Sequence, residues 1–212
     1  MKNFLGIFLA MFCWTGLAQA ETVAPDVLIR NTVKEVLEVV KTDEDIKAGN
    51  QQKTLALVDE KVLPHFDFKR MTRLAVGKYW RRASKEQKKA LTAEFRNMLV
   101  RTYTKVFSVY RDQVITVKPL KATADEEEVT VKTTITKPGS SVIPVEYEMK
   151  IGRNGWKVFD IYIEGVSMVM SYRGTFGSQI QESGIDGLIK ALAEKNDKSA
   201  TSKLNTAKAS DG

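Results

Sequence analysis

The apolar residues of this chain follow one spacing to about residue 110 and another from about residue 113 to residue 163. In the first part they recur every three or four positions, as on one face of a helix. In the second they recur every two, as on one face of a strand. Helices followed by short strands joined by tight turns form an α+β pattern, an antiparallel meander that helices can cover.

The helical part divides at polar breaks. Residues 26–41 carry Ile29, Val33, Val36, Leu37 and Val40 on one face. A second helix holds Leu55, Val58, Val62 and Leu63. Asp67 caps a third, with Phe68, Met71, Leu74 and Ala75 inward. Ser84 and Gln87 form a capping-box pattern. The helix behind them is the longest, with a stripe of Leu91, Phe95, Met98, Leu99, Tyr103, Val106, Phe107 and Tyr110.

Strands are expected at 113–118, 128–137, 143–151 and 156–163. The last does not alternate. Trp156, Val158 and Tyr162 fall on one parity, and Phe159, Ile161 and Ile163 on the other. Either both faces of that strand are shielded or one lines a cavity. Gly165 breaks it. Val166–Glu182 and Asp186–Lys195 are read as helices, and 196–212 as a disordered polar tail.

Residues 1–20 have a basic start at Lys2, an apolar run and an Ala18-Gln19-Ala20 cleavage pattern. They read as a secretory signal peptide, leaving a domain at 21–195. Cys13, the one cysteine, lies in that leader. An exported chain starting at Glu21 has no disulfide, thiol nucleophile or cysteine metal site, so its core alone must hold it. The net charge of +7 suits anionic membrane surfaces or acidic partner proteins, and nucleic acid is not an expected partner.

Signals of catalysis are sparse. One histidine, His65, excludes a multi-histidine metal site. Gly165–Val169 resembles a nucleophile elbow around Ser167 but lacks its second glycine. Asp160, between Phe159 and Ile161, could serve as a base if buried, or sit in an ordinary ion pair or face water. The basic run from Lys69 to Lys89 surrounds Tyr79-Trp80. It is either a solvated helix face or a dock for anionic lipid or an acidic partner, with Arg73, Lys78, Arg81 and Arg82 as candidates.

The stretch Phe66-Asp67-Phe68-Lys69-Arg70-Met71-Thr72-Arg73-Leu74-Ala75-Val76-Gly77-Lys78-Tyr79-Trp80 closely resembles a signature of the MlaC or toluene-tolerance family. The likeness continues through Phe95-Arg96, Leu99–Tyr103, Gly155–Ile161, Ile163–Val169, Tyr172-Arg173 and Phe176, covering roughly residues 25–195. These are periplasmic phospholipid-transport proteins of Gram-negative bacteria. The resemblance implies an NTF2-like curved antiparallel sheet, wrapped by helices around a hydrophobic cavity. It implies a monomeric periplasmic carrier shuttling phospholipid between an outer-membrane lipoprotein–porin complex and an inner-membrane ABC transporter, maintaining outer-membrane lipid asymmetry. Phospholipid is then cargo, and no reaction, cofactor or metal is implied. Candidate lining residues are Leu74, Leu99, Tyr103, Val145, Tyr147, Met149, Val158, Tyr162, Met168 and Met170. The methionines suit acyl chains of varied length. The rival readings are an enzyme using Asp160 and a periplasmic chaperone or binding module with a solid core.

Overall fold

The computed structural model describes residues 23–109, 113–120 and 126–210. The expected leader and Tyr110 lie outside them. Helices α1 (Pro25–Thr42), α2 (Glu44–Lys47), α3 (Gln51–Lys61), α4 (Phe68–Val76) and α5 (Lys85–Val109) precede a five-stranded sheet. Its strands are β1 (Val114–Val117), β2 (Glu128–Thr136), β3 (Ile143–Gly152), β4 (Gly155–Ile163) and β5 (Val166–Ser167). They pair antiparallel in chain order, as short turns dictate. Helix α6 (Arg173–Ser210) closes the described chain.

Local chemistry sets the helix starts. Asp43 and Asn50 cap α2 and α3 through their side-chain oxygens, and Asp67 accepts from Arg70 N to cap α4. At α5 the capping box is reciprocal: Gln87 N donates to Ser84 Oγ at 3.1 Å, and Ser84 N donates to Gln87 Oε1 at 3.0 Å.

The region after Gly165 departs from the sequence reading. Val166 and Ser167 add a two-residue strand, and the helix starts only at Arg173. Gly184, at φ 74°, interrupts α6 between the two helices expected there. The polar tail read at 196–212 is helical through Ser210. Ala and Lys recur there around Leu204, and no proline or glycine interrupts the helix before Ser210. Asn196 is buried: its amide donates to Glu94, and its carbonyl accepts from Arg101 Nη1 at 2.9 Å. Packing therefore reaches Asn196.

Two apolar clusters matter for function. One joins α4, α5 and α6 around Met71, Leu91, Phe95, Phe176 and Leu188, with Phe95 edge-on to Phe176 at 5.2 Å between ring centroids. The other lies between α1 and the sheet, where Ile29 and Leu28 pack on Val129, Val131, Met149 and Val158. This second layer is solid at one end only.

Candidate lipid cavity

The non-alternating strand is explained by a bulge. Along β3 and β4, Val145 faces Ile163, Tyr147 faces Ile161, and Glu148 faces Asp160, but Met149 faces Val158. Phe159 is the extra residue, and it shifts the parity of everything after it. Val158, Ile161 and Ile163 consequently share the face of Val145 and Tyr147. Tyr162, opposite Glu146, takes the other face, so the pairing of Tyr162 with Val145, Tyr147 and Met149 expected from plain alternation is corrected. Phe159 joins the helical cluster instead.

Above this face the sheet and α1 enclose a hollow of about 220 Å³. All five apolar residues of the α1 stripe, Ile29, Val33, Val36, Leu37 and Val40, line it from the roof. The sheet supplies Ile115 from β1, Ile135 from β2, Val145 and Tyr147 from β3, and Val158, Ile161 and Ile163 from β4. Val62, His65 and Phe66 close one flank; Tyr103 of α5 and Met168 also border the space. The Phe66 flank is fixed by main chain, because Asp67 N donates to Val158 O at 2.8 Å beside a Phe66–Val158 bridge.

Of the sequence candidates, the structure brings Tyr103, Val145, Tyr147, Val158 and Met168 to this hollow. Leu74 and Leu99 turn into the α4–α5–α6 cluster, because their helices bury that side against α6. Met149 is fully buried at the solid end of the sheet layer. Met170 is 38% exposed beyond β5. The roof and the isoleucines of β1, β2 and β4 were absent from the candidate list. The α1 stripe was visible as periodicity, but only the register of Ile115 with Ile135 puts them beside each other.

Polar atoms on the wall are few. His65 has its pKa lowered, chiefly by burial and then by the charge of Lys157, with Glu35 acting weakly the other way. Lys157 Nζ donates to the Pro64 carbonyl. Tyr172, next to Tyr103 in the helical cluster, is pushed up to about 12, first by burial and then by Tyr103. Both groups are thus held neutral near pH 7.

Asp160 lies outside the lining. It is 3% exposed, and its carboxylate accepts from Ile161 N at 2.8 Å, Val169 N at 3.1 Å and the Ser167 hydroxyl. Ser167 Oγ in turn accepts from Met170 N at 2.9 Å. Together they staple the turn after β4 and so hold Met168 against the hollow. Among the described residues, no group of three or more His, Cys, Asp or Glu is placed to hold a metal, and no helix is long and apolar enough to cross a membrane.

Comparison with known proteins agrees with the geometry. The structure superposes with a TM-score of 0.76 on a phospholipid-binding protein from Ralstonia solanacearum solved in complex with a phospholipid; identity is 35%, covering 82% of this chain and 98% of that one. Toluene tolerance protein ttg2D of Pseudomonas putida is 25% identical over 163 residues, 76% of this chain and 75% of the relative. The intermembrane phospholipid transport system binding protein MlaC of Haemophilus influenzae is 22% identical over 193 residues, 90% of each. The family model described as MlaC protein matches residues 30–194, a span that holds the roof from Thr32 to Val40, the sheet and the helical cluster, and the chain belongs to the MlaC family.

Proposed function

We propose that this protein is a periplasmic phospholipid carrier that buries acyl chains in the hollow between α1 and the sheet and moves lipid between outer-membrane and inner-membrane complexes. The observation that carries this reading is the hollow itself, walled almost wholly by aliphatic and aromatic side chains. A two-tailed lipid has on the order of 30 methylenes, and at about 0.8 kcal/mol each their exposure to water costs roughly 24 kcal/mol. A carrier lowers that barrier by replacing water with protein. The phospholipid complex of the Ralstonia relative supports the same cargo here.

Loading requires a wall to move. A hollow of about 220 Å³ lies below the roughly 300–1,000 Å³ typical of ligand pockets. Helix α1 is the suited wall. Its first turn lacks a side-chain cap, its ion pair to α3 is the exposed Lys61–Glu35 contact at 3.6 Å, and its inner face is purely aliphatic apart from Thr32. Apolar contacts are non-directional, so the helix can ride outward on acyl chains and keep its burial.

An enzyme reading finds less support: Asp160 is engaged by three donors and does not face the hollow. Cargo is the only ligand this reading needs, without cofactor or metal. Native mass spectrometry of protein from the periplasm, with solvent extraction of bound material, tests it. Stoichiometric phospholipid is expected; protein that is empty and refuses added lipid refutes the proposal.

A further inference from the structure

The cations of this chain are unevenly partnered. Around α1, α3 and the sheet they meet carboxylates: Arg30 with Asp26, Lys53 with Asp45, Arg96 with Asp59, Arg70 and Lys150 with Glu128. On the short 3-10 turn Gly77–Arg82 and the start of α6 they do not. Lys78, Arg81, Arg82 and Arg173 are all exposed, and none forms an ion pair among the described residues.

These four surround a cleft. Two adjoining hollows, of about 250 and 770 Å³, share Lys78, Tyr79 and Gln181. Arg173 and Ser178 border the first; Arg81 and Arg82 border the second. Arg173 is held in place without a carboxylate. Gly77 has φ 62°, and a Cβ there would lie 3.1 Å from Arg173 Nε, so the missing side chain lets the guanidinium rest against the turn. Its Nη1 is 3.8 Å from Met170 Sδ. The floor is Tyr79, whose hydroxyl accepts from Gln181 Nε2 at 2.9 Å.

The aromatics of this basic run are not a membrane anchor. Tyr79 is 9% exposed and Trp80 8%, whereas interfacial anchors must present their rings to the headgroups. Exposed cations around a cleft, none of them paired with a carboxylate among the described residues, are matched by acidic side chains, and guanidinium with carboxylate is a bidentate pair. We propose that this cleft docks an acidic segment of a protein partner, with one carboxylate on Arg173 and others on Lys78, Arg81 and Arg82. Met170 beside Arg173 and Met168 on the hollow wall put that docking next to the lipid. This purpose rests on the carrier reading, although the binding site does not.

The test uses the purified full chain and a fluorescein-labelled deca-glutamate peptide, followed by anisotropy at fixed ionic strength. The double substitution Lys78→Gln with Arg173→Gln is expected to weaken binding at least tenfold. Lys118→Gln with Lys137→Gln, an equal loss of charge from exposed positions just past the ends of β1 and β2, is expected to weaken it less than twofold. Gly77→Ala keeps every charge but displaces Arg173, and should weaken binding severalfold. Equal loss in the sheet control, no loss in Gly77→Ala, no peptide binding by the unaltered protein, or a cleft effect seen only with phosphatidylglycerol vesicles would overturn the proposal. Phospholipid extracted from the same preparations reports separately on cargo: empty protein that binds the peptide refutes the carrier and leaves the cleft standing.

Discussion

The guanidinium carbon of Arg70 sits 3.7 Å from the ring centroid of Phe159. Arg70 Nη2 also meets Glu128 Oε2 at 2.9 Å, so one side chain pins the bulged residue of β4 to the start of β2. The bulge then turns Ile161 and Ile163 toward α1. Neighbours Phe159 and Ile161 thus serve different tasks, and substitutions should separate them. Phe159→Ala should lower stability by about 3–5 kcal/mol, as truncation of a buried Phe does, while the folded fraction keeps its lipid. Ile161→Asn should release lipid, because it places an amide against acyl chains. Urea unfolding and lipid extraction on both variants check the split.

Filling the hollow should differ from overfilling the core. Val36→Phe adds bulk where space exists, and stability should hold while bound lipid falls. Val169→Phe adds bulk where the side chain is fully buried, and should cost about 1–3 kcal/mol. Equal destabilisation by the two, read from denaturation midpoints, would show that the α1 layer is solid.

Asp160→Asn distinguishes carriage from catalysis. The amide oxygen can still accept from the two backbone N–H groups, and Ser167 can accept from the new NH₂. A loss of about 1–2 kcal/mol is expected, in the range for an altered buried hydrogen-bond set, with lipid retained below the unfolding transition. Complete loss of lipid from a folded Asn variant contradicts a stapling role.

Acid should weaken the fold through His65. Its folded pKa is depressed by burial, so the unfolded chain binds the proton more readily. The stabilisation from neutral His65 is whole above its unfolded value of about 6.5, is lost as pH falls through the folded value, and is constant below that. His65→Gln should flatten this part of the profile. Urea midpoints between pH 7.5 and 5 measure it, and an unchanged slope in the variant assigns the acid sensitivity to carboxylates.

The starts of α4 and α5 and the order of the first four strands were readable in the sequence because each has a local cause. Ser84 with Gln87, Asp67 at α4 and the turn at Gly152–Gly155 act within a few residues. The α1 stripe was equally plain, as all five of its apolar residues share one face. The β4 face was not legible by counting, since one unpaired residue reverses parity and only the register with β3 reveals it. Leu99 and Tyr103 lie on one helix face and both pack in the helical cluster, yet only Tyr103 also borders the hollow; that difference depends on tertiary placement. The Arg173 contact spans nearly a hundred residues from Gly77 and has no local signature.

The layer between α1 and the sheet is packed around Met149 and Val131 and open around Ile135 and Ile163. Cohesion and capacity therefore reside in different residues. The open end can change its contents while the closed end keeps the strands in register throughout.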